Sequence, residues 1–74
     1  MMLTDLNSND RARVTAIVGG HGFRQQLALR GIADGCTVKI ISCSRGPVIV
    51  EVKGSILALG RGMAQKIRVM RLNS

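Results

Sequence analysis

FRQQLALRGIADGCTV, residues 23–38, contains a helix, the signal that ends it, a turn and the beginning of a strand. Good helix formers occupy Phe23–Arg30. Gly31 stands where a helix commonly ends in a left-handed residue, and Gly35 can supply the positive φ of the turn that follows. We therefore predict a helix over Phe23–Arg30 that leads through two glycines into a strand.

The sequence on both sides of this segment is typical of short strands joined by tight turns. β-branched residues and period-two alternation predict five strands, at Arg11–Val18, Cys36–Ser44, Val48–Lys53, Ser55–Leu59 and Lys66–Arg71. Gly60–Gln65 has no strand pattern and predicts one helical turn. The prediction is a single all-β domain over residues 1–74, with one or two short helices. About five antiparallel strands would form a small closed or half-closed barrel, because closure removes exposed sheet edges.

Composition excludes several classes of protein. The chain has 74 residues with 11 Lys and Arg against four Asp and Glu, so its formal net charge is +7. One histidine, His21, and scattered carboxylates form no acid–base pair, and no phosphate-binding loop, nucleophile elbow or zinc-protease motif occurs. We therefore predict that the protein is not an enzyme. The aliphatic runs are far shorter than the roughly 20 residues that span a bilayer, and no signal peptide is visible, so we expect a cytoplasmic location.

The two cysteines are predicted to be free thiols. Cys36 and Cys43 stand seven residues apart at the ends of a predicted strand. An odd separation places their side chains on opposite faces, roughly 23 Å apart along the strand, whereas a disulfide needs less than about 7 Å. Neither belongs to a CxxC pair. The sequence therefore predicts reduced, apolar cysteines, no metal ligands and no cofactor, and leaves open a metal site formed across a dimer.

Three stretches, in order, resemble the FeoA family. Residues 23–38 are similar to that family's helix, helix-ending glycine, second glycine and strand. Gly46-Pro47-Val48 resembles its Gly-Pro hairpin, and residues 56–61 followed by 64–69 resemble its closing motif. The opening Leu3-Thr4-Asp5-Leu6 is similar as well. The resemblance covers nearly the whole chain.

This resemblance implies an SH3-like barrel in the cytoplasm or at the inner face of the membrane. Family members accompany FeoB, the membrane ferrous iron transporter with a cytoplasmic G-protein domain, and regulate or assemble it. The resemblance thus implies a role in the transport of iron, a transition metal. The same domain type ends iron-dependent transcriptional repressors. One departure is Asn9-Asp10 in the first turn, where the family usually has Gly; both residue types also suit turns.

Three functions are to be compared. A binding module for the cytoplasmic part of FeoB is supported by the resemblance and by the missing catalytic set. A small basic barrel that binds RNA or the ribosome is the alternative, supported by the charge of +7. Barrels that bind single strands usually carry stacking aromatics, and Phe23 is the only aromatic residue, which disfavours nucleic acid. Direct sensing of Fe(II) is disfavoured, because one histidine, two separated cysteines and scattered carboxylates form a poor ligand set for iron. The oligomeric state is left open.

The predicted helix provides the candidate binding surface. Phe23 and Leu27, four residues apart, fall on one face and are expected to pack inward. Leu29 lies between the faces, and is either an exposed apolar anchor or, like Leu27, part of the core. The predicted partner-binding residues are Arg24, Gln25, Leu29 and Arg30.

Overall fold

The computed structural model describes residues 1–43 and 45–72. The strands are β1 (Arg11–Ile17), β2 (Thr37–Ser42), β3 (Val48–Val52), β4 (Ser55–Leu59) and β5 (Ile67–Leu72), and the helices are α1 (His21–Leu29) and α2 (Arg61–Ala64). These bounds lie within two residues of the predicted ones. Ser44, where a strand end and turn were predicted, and the last two residues of the predicted domain lie outside the described residues. No described helix is long and apolar enough to cross a membrane.

The five strands form one antiparallel sheet in the order β4-β3-β2-β1-β5. All five contribute buried side chains to a single apolar cluster. The predicted all-β fold of about five antiparallel strands with two short helices is therefore confirmed.

Alternation along the strands determines which residues form the core. Ala12 and Val14 of β1 are buried between exposed neighbours, and Val48, Val50 and Val52 of β3 are buried between half-buried neighbours. Burying one such aliphatic side chain contributes about 1.5–3 kcal/mol. No polar or charged side chain is buried among the described residues. The charged side chains of β1 therefore all point outward.

A β-bulge corrects the prediction for the two cysteines. The pairing of β2 with β3 shifts by one residue between Ile40 and Ser42. A one-residue shift reverses which face each later side chain occupies. Cys36 and Cys43 therefore do not lie on opposite faces: both are free thiols, half-buried against the same core.

Two turns place residues other than glycine in left-handed backbone conformations. Asn9, in the first turn, has φ 74°, a conformation that asparagine tolerates better than most residues. The hairpin between β3 and β4 has Lys53 at φ 52° and Gly54 at φ 83°, the pattern of a type I′ turn, whose twist matches that of the flanking strands.

Candidate functional site

Helix α1 begins two residues earlier than predicted, at His21. Gly22 disfavours a helix in isolation, which is why the sequence indicated a start at Phe23. In the structure the Arg24 amide donates to the Gly20 carbonyl at 3.1 Å and closes the first turn. Phe23 packs against the core. This tertiary contact outweighs the low helix propensity of Gly22.

The end of α1 confirms the predicted glycine cap. Gly31 has φ 89°, its amide donates to the Ala28 carbonyl at 3.0 Å, and the Ile32 amide donates to the Leu27 carbonyl at 2.9 Å. These two bonds define a Schellman motif, in which apolar residues at the two ends of the longer bond usually pack together. Leu27 and Ile32 are both buried. The cap thus fixes the direction in which the chain leaves the helix.

The two leucines of α1 occupy opposite environments. Leu27 is fully buried, whereas 83% of Leu29 is exposed. The sequence left open whether Leu29 is exposed or part of the core, and the structure shows that it is exposed. A single exposed leucine is ordinary on a protein surface. Leu29, however, lies one helical turn after Gln25, which lines a groove on the surface.

The groove runs between α1 and the loop that follows it. It has a volume of about 570 Å³. Ile17, Ala28 and Ala33 provide its apolar lining, and its polar lining consists of His21, Arg24, Gln25 and Asp34. Grooves that combine apolar area with a few polar groups are the usual form of binding sites. The groove is therefore a candidate binding site.

Two interactions hold the loop side of the groove in place. The Gly35 amide donates to the Val14 carbonyl at 2.7 Å, which fastens the loop to β1. Arg24 Nη2 lies 3.6 Å from Asp34 Oδ2, with about half of each side chain exposed. Such an exposed pair stabilises by only about 0.2–1 kcal/mol. A carboxylate on a partner can therefore replace Asp34 at small cost.

The structure brings together some of the predicted site residues and separates another. Arg24 and Gln25 line the groove. Leu29 follows Gln25 by four residues and lies next to it on the helix surface. Arg30, the C-cap residue, is exposed but stands roughly 120° from Arg24 around the axis. The surface we call the α1 groove surface therefore consists of the groove and Leu29, with Arg30 on the far flank.

Sequence reasoning missed five residues of the groove, among them Ile17 and Ala33 of its apolar lining. His21 and Ala28 precede and follow Arg24 and Gln25 at intervals of three and four, a helical spacing that would have included them had the helix start been predicted correctly. Asp34 carries no such signal, because it lies beyond the end of α1. The Schellman motif reverses the chain there, and the following loop brings Asp34 back to the groove.

The described residues contain no candidate metal centre. Within residues 1–43 and 45–72, no three side chains among His, Cys, Asp and Glu converge closely enough to hold a metal ion. His21 and Asp34 are the two residues of these types that line the groove. That this chain takes no metal and no cofactor of its own stays a prediction.

Comparison with known proteins identifies the family. The FeoA domain model matches residues 1–71. A protein of Methanocaldococcus jannaschii named "Putative Fe(2+) transport protein A" is 46% identical over 56 residues, which cover 76% of this chain and 68% of that one. The chain therefore belongs to the FeoA domain family.

Solved structures agree with this assignment. A crystal structure described as an iron uptake regulatory protein (FeoA) superposes with a TM-score of 0.90 at 35% identity, covering 97% of this chain and 96% of that one. A FeoA protein from Chlorobium tepidum gives a TM-score of 0.89 at 29% identity, covering 99% of this chain and 71% of that one. A manganese-dependent transcriptional repressor shares the fold at 22% identity, with a TM-score of 0.89 over 97% of this chain and 36% of its own. The fold is therefore the SH3-like one of FeoA proteins.

One relative joins this domain type to a transporter. The "Fe(2+) transport protein A/Fe(2+) transporter FeoB fusion protein" of Porphyromonas gingivalis is 29% identical over 76 residues, which cover all of this chain and 9% of that protein. In that protein the two parts are one polypeptide.

Proposed function

We propose that this protein is a small, non-enzymatic accessory of ferrous iron uptake that binds the cytoplasmic part of the membrane transporter FeoB and regulates or assembles it. The observation that carries the proposal is the fused relative. Joining two modules in one chain raises the effective concentration of each for the other to about the millimolar range, an arrangement that favours modules acting on one another. In this chain the same contact would form between separate polypeptides, in the cytoplasm at the inner face of the membrane.

The α1 groove surface is the part of the molecule that we assign to this contact. It offers an exposed leucine beside a groove with apolar lining, and α1 contains no carboxylate. Interfaces usually bind through a central apolar anchor surrounded by polar groups. Leu29 would be the anchor, with Arg24 and Gln25 in the groove and Arg30 on the flank. An acidic, partly apolar segment of the transporter fits this surface.

The experiment compares two matched variants. Leu29 and Ile56 are both exposed aliphatic residues, at 83% and 66%, and Ile56 lies on β4 rather than on α1. Leu29→Ser and Ile56→Ser are introduced into a strain that lacks the native gene. Ferrous iron uptake and capture of the transporter by the tagged protein are then measured. Circular dichroism confirms that both variants are folded.

We expect Leu29→Ser to lower transporter capture and iron uptake together, and Ile56→Ser to leave both near wild type. Wild-type uptake and full capture with Leu29→Ser would reject this surface, as would an equal loss with Ile56→Ser. If the wild-type protein captures no transporter and instead binds RNA tightly and in a salt-sensitive way, the nucleic-acid alternative replaces the proposal.

A further inference from the structure

A second basic surface lies on the outer face of the sheet, formed by neighbouring residues of β2, β1 and β5. We call it the cationic sheet face and define it by four residues that alternation directs outward: Arg11, Arg13, Lys39 and Arg68. Adjacent outward residues of a strand pair lie about 4.5–8 Å apart at Cβ. The four charges are therefore concentrated on three adjacent strands.

The pairing within this face is unfavourable for the isolated fold. Arg11 of β1 stands directly opposite Lys39 of β2. Like charges directly opposite one another destabilise a sheet. None of the four residues forms an ion pair with a described residue. Glu51 of β3 stands directly opposite Lys39 on its other side and offsets part of this repulsion, so an external anion would meet the least compensated charges at Arg11, Arg13 and Arg68.

The nearest carboxylates stand at the margins of this face. Asp10 Oδ2 is held by Arg71 Nη2 at 3.3 Å. Glu51 lies on β3, across from Lys39 on the side away from β1. Neither carboxylate separates Arg11, Arg13 and Arg68. Arg11, Arg13 and Arg68 therefore have no carboxylate directly opposite them in the sheet, whereas Lys39 has Glu51.

An apolar side chain projects from the same surface. Met70 of β5 pairs directly with Arg13 and is 50% exposed. A flexible apolar side chain surrounded by cations is suited to a bilayer interface, where the charges meet headgroups and the apolar group enters the acyl boundary. The described part of this face has no aromatic ring, which single-stranded nucleic acid would use for stacking.

From the charge, the directly opposed Arg11 and Lys39, and Met70, we propose that the cationic sheet face docks on a membrane surface rich in anionic phospholipid. This inference goes beyond the proposed function, because it requires neither the transporter nor the α1 groove surface. It gives the molecule two surfaces with different partners: α1 for a protein and the sheet for lipid phosphates.

The test measures binding of the whole protein to sedimentable vesicles. One set is pure phosphatidylcholine, and the other contains about 30% phosphatidylglycerol, which supplies the negative surface potential. We expect binding only to the second set, and release at about 1 M salt, where screening reduces the Debye length to about 3 Å.

A charge-matched pair of variants locates the effect. Arg11→Gln/Arg13→Gln and Arg24→Gln/Arg30→Gln both lower the net charge by two. At about 1 kcal/mol for each basic residue near an anionic surface, the first should weaken vesicle binding about 30-fold. The second should change it by less than about threefold, because α1 is outside the cationic sheet face and electrostatic attraction is local. Equal losses would show that only total charge matters and would overturn the assignment.

Met70→Ser distinguishes a lipid surface from other polyanions. It should reduce vesicle binding further than it reduces binding to single-stranded RNA, because only the bilayer offers an apolar phase. No binding of the wild-type protein to anionic vesicles would refute the proposal. RNA binding that is stronger than vesicle binding and unaffected by Met70→Ser would assign the face to nucleic acid instead.

Discussion

The α1 groove surface and the cationic sheet face are both basic, but they differ in everything else that decides what a surface binds. The first has a groove of about 570 Å³ and an exposed leucine, and its Arg24 already has a carboxylate partner. The second has four unpaired cations on adjacent strands, two of them directly opposed. Shape and an apolar anchor select a particular protein segment, whereas a surface that has only smaller clefts and relies on charge binds polyanions with little discrimination.

The difference follows from the elements that carry each surface. A helix packed on a sheet buries one side and leaves its boundary with the next loop as a groove. An outward sheet face presents parallel rows of side chains, and the two clefts that Arg11 and Lys39 line here have volumes of only about 260 and 250 Å³. A net charge of +7 alone therefore does not define one binding site. The positive charges are distributed over a helix and over a sheet, and they therefore form two separate basic surfaces.

The largest effect that we expect is a difference in stability between variants of two leucines of α1. Leu27 supports the α1 groove surface from the core, and Leu29 is part of that surface. Leu27→Ala removes a fully buried side chain and should lower the free energy of unfolding by about 2–5 kcal/mol. Leu29→Ala removes a side chain that is 83% exposed and should change it by no more than about 0.5 kcal/mol.

Urea denaturation of both variants provides the measurement. In a domain whose total stability is on the order of 5 kcal/mol, Leu27→Ala approaches complete unfolding. A loss below about 1 kcal/mol for Leu27→Ala, or a loss for Leu29→Ala as large as that for Leu27→Ala, would mean that α1 packs on the sheet in a different rotation.

A smaller effect concerns the cationic sheet face. Arg11→Gln removes one member of the directly opposed pair with Lys39. It should stabilise the fold by about 0.2–1 kcal/mol at low ionic strength, since the like-charge repulsion is lost, and the gain should shrink as salt screens it. Thermal unfolding of Arg11→Gln at low and high salt checks this. Arg45→Gln, an exposed change in the hairpin between β2 and β3, is the control.

An unchanged or lowered melting temperature for Arg11→Gln at low salt would contradict the repulsion. In that case Asp10 and Glu51 would already compensate Arg11 and Lys39, and an external anion would gain nothing from this pair.

Much of the fold was predictable because local signals agreed with the tertiary structure. Gly31 and Gly35 stand where positive φ is required, and both have φ 89°. The alternation of Val48, Val50 and Val52 indicated the buried face of β3. The bulge near Ile40 was not predictable, because it depends on the partner strand rather than on a local residue preference. It moved Cys43 to the core side.

The candidate site was less predictable than the fold. Arg24, Gln25 and Leu29 were named from helical spacing, and the structure places all three on the exposed side of α1. Asp34 was missed because the loop returns to the helix through a tertiary contact, the Gly35–Val14 hydrogen bond. The cationic sheet face was missed because residues far apart in sequence, such as Arg13 and Arg68, become neighbours only through strand pairing.

The transporter contact proposed for α1 can be tested directly by one titration. The soluble cytoplasmic part of the transporter is titrated, without lipid, into the wild-type protein, Arg24→Glu/Arg30→Glu and Arg11→Glu/Arg13→Glu. The two variants have equal net charge, and all four residues are exposed. We predict that the α1 variant weakens binding at least about tenfold, or about 1.4 kcal/mol, and that the sheet variant changes it by less than about threefold. Equal weakening by both variants, or a loss confined to the sheet variant, would contradict the account.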